Sequence, residues 1–127
     1  MFRISKDFSF AAAHHLTAVP RDHKCARTHG HNYVVRVVAA ATHLAEPGWV
    51  VDYGDLDALG KFIDMRLDHR DLNAVVANPT AEVLAEWLYE FCAAEFTQAH
   101  PGVAFAVGVA ETPKTWAWYD PNRIGTC

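Results

Sequence analysis

Two histidines separated by one glycine, His29-Gly30-His31, form the most specific local pattern in this chain. In a β-strand, residues i and i+2 point to the same side, so both imidazoles can reach one metal ion with ring nitrogens about 2.0–2.1 Å from it. The glycine between them allows another backbone segment or a ligand to approach closely. The spacing predicts two ligands of one metal centre, with scattered histidines that share no ion as the alternative.

A third imidazole is available at the end of the preceding strand, where His14 and His15 are adjacent. Hairpin pairing would bring that strand end beside the second strand. Neighbouring residues of a strand face opposite sides, so only one of the two histidines can join the site, and the pattern does not decide which. Three neutral imidazoles with one open position form the zinc arrangement that activates or polarises a bound ligand.

Cys25 lies four residues before His29 in a polar loop that also contains Lys24 and Arg27. Nearby cations favour the thiolate form of a cysteine, which is then available for proton transfer. Two alternatives remain, an ordinary free cysteine and a fourth zinc ligand that closes a structural site. Cys92 falls on an apolar helical stripe and is expected in the core, and the terminal Cys127 is expected to be inert.

Two carboxylates also lie where they could take part in chemistry. Asp68 directly precedes His69, and a carboxylate beside an imidazole can fix its tautomer, so a cysteine brought near would complete a Cys-His-Asp relay. The alternative is that His69 caps the C-terminus of a helix. Glu111 follows an uncharged run, so its carboxylate faces either solvent or the donors of a ligand. A carboxylate can accept two parallel N–H bonds from an amino-heterocycle, as it does from arginine.

The strands that must position these residues are predicted from alternating and β-branched apolar residues. They cover residues 2–12, 32–42, 103–111 and 115–119, and a short piece over 49–51 is expected to pair back as a strand end.

Two amphipathic helices are predicted between the second and third strands. The first covers about residues 55–68 with Asp52 at its N-cap, and the second begins at Asn78-Pro79-Thr80 and is closed by Pro101-Gly102. The order β-β-α-α-β-β predicts an α+β fold, a four-stranded antiparallel sheet with both helices on one face. The other face carries small and apolar residues, which suggests burial against a second subunit.

Length and composition limit the classes of protein. The chain has 127 residues with 51% hydrophobic and 20% charged residues, which predicts one globular domain over 1–127. No apolar run approaches the roughly 20 residues of a membrane span, and the N-terminus does not read as a secretory signal. The net charge of −4 argues against a nucleic-acid partner. Three cysteines at irregular spacing make no disulfide framework, so a reducing cytoplasm is the expected location.

Five short motifs then suggest a known family. They are Ala12-Ala13-His14-His15-Leu16, Cys25-Ala26-Arg27-Thr28-His29-Gly30-His31, Leu67-Asp68-His69, Asn78-Pro79-Thr80-Ala81-Glu82 and Glu111-Thr112-Pro113. In this order, along nearly the whole chain, they resemble the 6-pyruvoyl-tetrahydropterin synthase and 6-carboxy-5,6,7,8-tetrahydropterin synthase family. The interval of three residues between the cysteine and the first histidine of the HGH motif is similar to the carboxytetrahydropterin synthase branch.

The resemblance implies a tunnelling fold whose trimers form barrels, commonly paired as homohexamers, and a Zn²⁺ ion. It implies that His14, rather than His15, completes the metal site. The residues that it assigns to the site are His14, His29 and His31 as zinc ligands, Cys25, Asp68, His69 and Glu111 as catalytic residues, and Glu111 as the pterin anchor. Thr80, Lys24 and Arg27 are expected to contact the substrate, the two cations at its phosphates.

The implied activity is that of a lyase in 7-deazapurine (queuosine-type) biosynthesis. It would convert 7,8-dihydroneopterin triphosphate to 6-carboxy-5,6,7,8-tetrahydropterin with release of acetaldehyde and triphosphate. The alternatives are a 6-pyruvoyl-tetrahydropterin synthase, a dihydroneopterin aldolase-like paralogue and a non-catalytic zinc-stabilised binding module in which Cys25 closes a four-ligand site.

Overall fold

The computed structural model describes residues 1–125 and contains one antiparallel sheet with the strand order β1-β2-β3-β4. The strands are β1 (Phe2–His14), β2 (His29–Ala41), β3 (Ala104–Thr112) and β4 (Thr115–Tyr119), and the helices are α1 (Asp57–Arg66) and α2 (Ala81–Phe96). This order confirms the predicted α+β arrangement. The expectation for Cys127 lies outside the described residues.

Several predicted boundaries were wrong, most of them at polar ends. The first two strands pair continuously from Phe2–Ala41 to His14–His29, so β1 extends beyond residue 12 and β2 begins before Asn32. Backbone pairing continues there because the ladder needs only peptide groups, although the apolar alternation has already ended. The piece over 49–51 forms only an isolated bridge between Ala45 and Trp49.

The helices are shorter than predicted. Asp52 caps a short 3₁₀ turn (Tyr53–Leu56) by accepting a hydrogen bond from Gly54 N at 2.9 Å, and α1 begins only after this turn. The second helix begins as predicted, with Thr80 Oγ1 accepting from Val83 N at 3.1 Å. It ends at Phe96, several residues before Pro101. Neither helix within residues 1–125 combines the length and the apolar character needed to cross a bilayer.

The main core lies between the helices and one face of the sheet. Alternate residues of the strands point to this side, which is called the helix side below. Phe10, Val35, Val107 and Val109 are buried there against Leu59, Ile63, Leu84 and Leu88 of the helices.

The opposite face of the sheet, called the outer face below, is partly covered by the chain itself. Val38, Ala40 and Ala106 are buried there together with Ile124 of the C-terminal segment. Arg3 Nη1 donates to Ile124 O at 3.0 Å, and this bond fixes the segment across the sheet. The part of the outer face that is left for a second subunit is therefore smaller than the sequence pattern suggests. Assembly into an oligomer stays a prediction.

Gly60 marks a close contact between α1 and β1. A Cβ at this position would lie 2.8 Å from Cε1 of Phe8. Glycine to alanine inside a helix ordinarily favours folding by about 1 kcal/mol, whereas forcing atoms into a filled space costs about 1–3 kcal/mol. We expect Gly60→Ala to lower the free energy of unfolding, measured by chemical denaturation. In a Phe8→Leu background the same change should be neutral or stabilising, and equal effects in both backgrounds would contradict this explanation.

Candidate active site

His14, His29 and His31 lie together on the helix side, at the end of the β1–β2 ladder. His14 is the direct partner of His29, and Ala12 is the partner of His31, so the three imidazoles share one face. One ring nitrogen from each histidine lies within 4.8 Å of the other two. The hairpin thus brings together the three residues that the sequence proposed as metal ligands.

Backbone carbonyls fix the tautomers of two of these rings. His14 Nδ1 donates to Pro79 O at 2.7 Å and His29 Nδ1 donates to Arg27 O at 2.8 Å. A carbonyl oxygen only accepts, so each Nδ1 carries the proton and each Nε2 presents a lone pair. Metal-binding histidines commonly hold their other ring nitrogen in this way.

The two Nε2 atoms face each other at 3.0 Å. Two lone pairs at this distance repel unless a cation lies between them. Nitrogens bound tetrahedrally to zinc at roughly 2.0–2.1 Å stand about 3.3 Å apart, close to the observed separation. The donor set therefore fits a metal ion of the zinc type.

His31 completes this donor set as a neutral imidazole. Burial lowers its pKa below the ordinary value, and the imidazoles of His14 and His29 act in the same direction, while the charge of Glu111 opposes them. Its Nε2 is buried without a hydrogen-bond partner among the described residues. A neutral ring with a free nitrogen is what coordination requires.

The choice between the adjacent histidines 14 and 15 is decided by the fold. His14 is 1% exposed and points into the cluster. The backbone of His15 is fixed by Asn73, whose side chain accepts from His15 N and donates to His15 O, both at 2.9 Å. Since strand neighbours point to opposite faces, the side chain of His15 is directed away from the cluster.

Cys25 lies in the same cavity as the three histidines. The cavity has a volume of about 580 Å³ and is lined by His14, Leu16, Lys24, Cys25, Arg27, Thr28, His29, His31, Glu111 and Thr112. Leu16 N donates to Cys25 O at 2.7 Å, which ties the cysteine loop to the end of β1. The structure thus brings the proposed thiol, the two proposed cations and the proposed carboxylate to one cavity.

Glu111 lies beside the histidines at the end of β3. Its Oε2 is 3.8 Å from His31 Nε2, too far for a hydrogen bond. The side chain is about one-third exposed, so its oxygens remain accessible to the donors of a ligand. This placement agrees with the sequence expectation that the carboxylate serves a ligand rather than a buried ion pair.

Asp68 and His69 lie along the free edge of β1. Asp68 Oδ1 accepts from Ala11 N at 3.0 Å, and its Oδ2 is 3.0 Å from His69 Nδ1. The bond from Ala11 lowers the pKa of Asp68, and the bond from His69 adds to this effect. The carboxylate therefore orients the imidazole as the sequence suggested.

This pair does not reach Cys25 within one chain. The His69 side chain is 82% exposed and lines a second cavity, which contains neither Cys25 nor Glu111 and is formed mainly by residues 11–13 and 30–32 of the first two strands. His69 does not cap α1 either, because its backbone N–H donates to Ala11 O at 2.6 Å and its ring nitrogen Nδ1 faces Asp68 Oδ2 at 3.0 Å. A relay with the cysteine would need a second copy of the chain.

One other residue expected at the substrate, Thr80, also lies outside this cavity. Thr80 uses its hydroxyl to cap α2 and does not line the cavity of Cys25. Conversely, sequence reasoning missed Tyr33, which is buried beside the histidines. Its position two residues after His31 places it on the same strand face, and this periodicity could have identified it.

The fold and this cluster define a tunnelling-fold subunit with three histidines that are able to hold a metal ion, and comparisons with known proteins identify the family. The family described as 6-pyruvoyl tetrahydropterin synthase matches residues 3–122. The chain belongs to this family of enzymes. The solved structure of 6-pyruvoyl tetrahydropterin synthase from Caenorhabditis elegans superimposes with a TM-score of 0.80, covering 95% of this chain and 96% of that one at 24% identity, which supports the fold.

Curated relatives give more detail. The 6-carboxy-5,6,7,8-tetrahydropterin synthase of Synechocystis sp. is 35% identical over 98% of this chain and 97% of its own length. The protein of the same name from Bacillus subtilis is 32% identical over 98% and 88%. The dihydroneopterin monophosphate aldolase of Pyrococcus furiosus is 33% identical over 69% and 72%. These relatives support a tetrahydropterin-synthase type of function.

The metal-ligand assignment can be tested by substitution. We expect His29→Ala or His31→Ala to abolish stoichiometric zinc binding, because each removes one of three lone pairs that converge on one point. Zinc content after dialysis, determined by atomic absorption, measures this. His15→Ala is the matched control and should retain zinc. Full metal content in either of the first two variants would show that the ligand set is wrong.

Proposed function

We propose that this protein is a zinc-dependent lyase that converts 7,8-dihydroneopterin triphosphate to 6-carboxy-5,6,7,8-tetrahydropterin, releasing acetaldehyde and triphosphate, in 7-deazapurine (queuosine-type) biosynthesis. The observation that carries the proposal is the single cavity shared by three convergent imidazoles, a thiol and an accessible carboxylate. The names of the two relatives that match nearly the full chain support the choice of product.

The metal would be held by His14, His29 and His31. Zn²⁺ at this position supplies a Lewis acid that polarises the side-chain hydroxyls of the substrate and so acidifies the adjoining C–H bonds. The fixed Nδ1–H bonds to Pro79 O and Arg27 O keep two of the rings in the tautomer that such binding needs.

Cys25 is proposed to transfer protons at the substrate side chain. Its loop is tied to β1 next to the histidines, so the thiol keeps its place in the cavity. Lys24 and Arg27 line the same cavity and are exposed, which suits cations that meet an anionic triphosphate entering from solvent. We expect this chemistry in the reducing cytoplasm, where the thiol stays free.

Glu111 is proposed to anchor the pterin ring. The 2-amino group and a ring N–H of a pterin are two donors in line, and a carboxylate accepts such a pair with both oxygens. The side chain lies at the cavity wall, 3.8 Å from His31, so an anchored ring would place its substituent toward the metal ligands.

Asp68 and His69 are proposed to reach the cavity from a neighbouring copy. Within one chain His69 lines the other cavity, and its exposed imidazole is held by the Asp68 carboxylate. A homohexamer built as a dimer of trimers would supply this pair to Cys25 across a subunit boundary. Thr80 is proposed to contact the substrate as well, by donating the proton of its hydroxyl, whose oxygen accepts from Val83 N in the cap of α2.

A second candidate function is cleavage of the substrate side chain alone, as in an aldolase. The 33% identity to the Pyrococcus furiosus aldolase favours this candidate over the remaining alternatives. The same zinc site, thiol and pterin anchor would serve the aldolase reaction, so identification of the product distinguishes the two candidate functions.

The direct test is to incubate the zinc-loaded protein with 7,8-dihydroneopterin triphosphate and to identify the products by mass. We expect 6-carboxy-5,6,7,8-tetrahydropterin, acetaldehyde and triphosphate in equal amounts. A 6-hydroxymethyl pterin with glycolaldehyde triphosphate would indicate the aldolase, a 6-pyruvoyl product would indicate that branch, and no turnover would favour the binding module.

Cys25→Ala separates the roles proposed for the thiol. We expect this variant to keep its zinc and its fold while turnover falls about 10²–10⁴-fold, the range for a positioned acid–base group. Zinc content and circular dichroism are measured alongside the rate. If the variant loses zinc instead, Cys25 is a metal ligand and a closed structural site becomes the better explanation.

Glu111→Gln tests the pterin anchor. The amide keeps the shape of the side chain but turns one acceptor oxygen into a donor that faces a donor of the ring. Losing a charged hydrogen bond costs roughly 1.5–3 kcal/mol, and unpaired donors add to this. We therefore expect about 10- to 1000-fold weaker binding of neopterin by calorimetry, with zinc content unchanged. Glu95→Gln, at an exposed site on α2, is the control, and unaltered affinity at position 111 would refute the assignment.

A further inference from the structure

Within residues 1–125, two buried side-chain polar atoms have no hydrogen-bond partner, and both lie at the candidate active site. They are His31 Nε2 and the hydroxyl of Tyr33, a residue that is 1% exposed. Coordination would satisfy the imidazole nitrogen, but the phenol is not part of the ligand set. Buried hydroxyls without partners are rare in folded proteins, so this one requires an explanation.

The ring of Tyr33 is held firmly in place. It stacks on Phe10 with centroids 4.7 Å apart and planes at 5°, and it meets the rings of His14 and His31 edge-on at 6.0 and 5.4 Å. A ring enclosed in this way cannot turn its hydroxyl toward solvent. The partner of the hydroxyl must therefore come from the site itself.

Glu111, at the end of the neighbouring strand β3, can serve as an acceptor for the Tyr33 hydroxyl. Val34 pairs with Ala110 at the end of the β2–β3 ladder, so Tyr33 and Glu111 occupy the positions one step beyond it, and Glu111 lines the cavity beside His31. Opposed residues of this kind have Cβ atoms about 4.5–5.5 Å apart. A carboxylate oxygen only accepts, whereas a phenol carries a proton that it can donate, so a hydrogen bond between these two residues runs from the Tyr33 hydroxyl to Glu111.

We propose that Tyr33 is a positioning residue whose buried hydroxyl donates a hydrogen bond to the Glu111 carboxylate and so fixes the orientation in which that carboxylate receives the two N–H groups of a pterin. The inference rests on the pterin-binding role proposed above for Glu111. The two oxygens of a carboxylate offer about four acceptor positions, which accommodates one bond from the phenol and two from the ligand.

The bond is not made in this structure, where Oε2 of Glu111 is directed toward His31 Nε2 at 3.8 Å. A change of side-chain torsion angles of Glu111 is sufficient to bring an oxygen to the phenol, because the two residues stand opposite each other on one face. Once made, this bond would hold the Glu111 carboxylate in its receiving orientation before the pterin binds, which lowers the cost of ordering the side chain on binding.

The first test removes only the hydroxyl. Tyr33→Phe keeps the stack on Phe10 and the ring contacts with the histidines. In the zinc-loaded protein we expect about 10-fold weaker binding of neopterin by calorimetry, unchanged zinc content, and an equal or higher denaturation midpoint without ligand, since an unpaired buried hydroxyl is lost. Tyr119→Phe on β4 is the matched control. An unchanged affinity, or a lowered midpoint that explains a weaker affinity, would overturn the proposal.

The second test asks whether Tyr33 acts through Glu111. In a Glu111→Gln background, Tyr33→Phe should weaken neopterin binding by clearly less than it does in the wild type. An equal loss in both backgrounds would mean that the phenol contacts the ligand independently, which contradicts a positioning role.

A crystal structure of the zinc-loaded protein tests the contact between Tyr33 and Glu111 without any pterin. We expect the Tyr33 hydroxyl either to lie within about 3.2 Å of a Glu111 oxygen or to be joined to it through one ordered water. If the wild-type protein binds no neopterin, the proposed function fails while this contact still supports the pairing. A phenol that is bonded to another group overturns the inference whatever the ligand.

Discussion

The register of the first hairpin is the constraint on which the candidate site depends. The ladder runs without interruption from the Phe2–Ala41 pair to the His14–His29 pair. Because side chains alternate at every residue, a slip of one position would turn the histidines of one strand away from those of the other. The apolar residues of both strands prevent such a slip, since it would expose the buried Phe10, Val35 and Val37. The core thus holds the metal site in register, although none of the core residues is a ligand.

Backbone carbonyls outside the hairpin orient two of the imidazoles that the strand register brings together. Pro79 O comes from the segment before α2 and Arg27 O from the loop before β2, and each takes the Nδ1 proton of one imidazole. The remaining lone pairs converge at 3.0 Å, an arrangement that is unfavourable without a cation. The two segments that supply these carbonyls therefore orient the imidazoles for binding a metal ion, as the hydrogen-bond partners of metal ligands do in metal sites generally.

The residues proposed for catalysis lie at two different cavities. The cavity of Cys25 and Glu111 lies on the helix side, whereas the exposed imidazole of His69 lies with residues of the outer face. The bonds between Asp68, His69 and Ala11 hold this imidazole rigidly at the free edge of β1, before any partner is present. An edge strand with a prepared side chain is well suited to join a neighbouring copy, while the C-terminal segment covers part of the outer face through Ile124.

Residue types and periodicity by themselves determined the element order, the helix-side core and the grouping of His29 with His31, because side-chain direction in a strand follows from sequence spacing alone. They also indicated Glu111 as a carboxylate available to a ligand. Strand periodicity left His14 and His15 open, the family resemblance favoured His14, and the tertiary structure shows that His14 joins the cluster because its side chain lies on the face that joins the core. It also revealed that His69 lies apart from Cys25 and that the hydroxyl of Tyr33 is buried without a partner among the described residues. These facts depend on contacts between residues distant in sequence, and no local pattern encodes them.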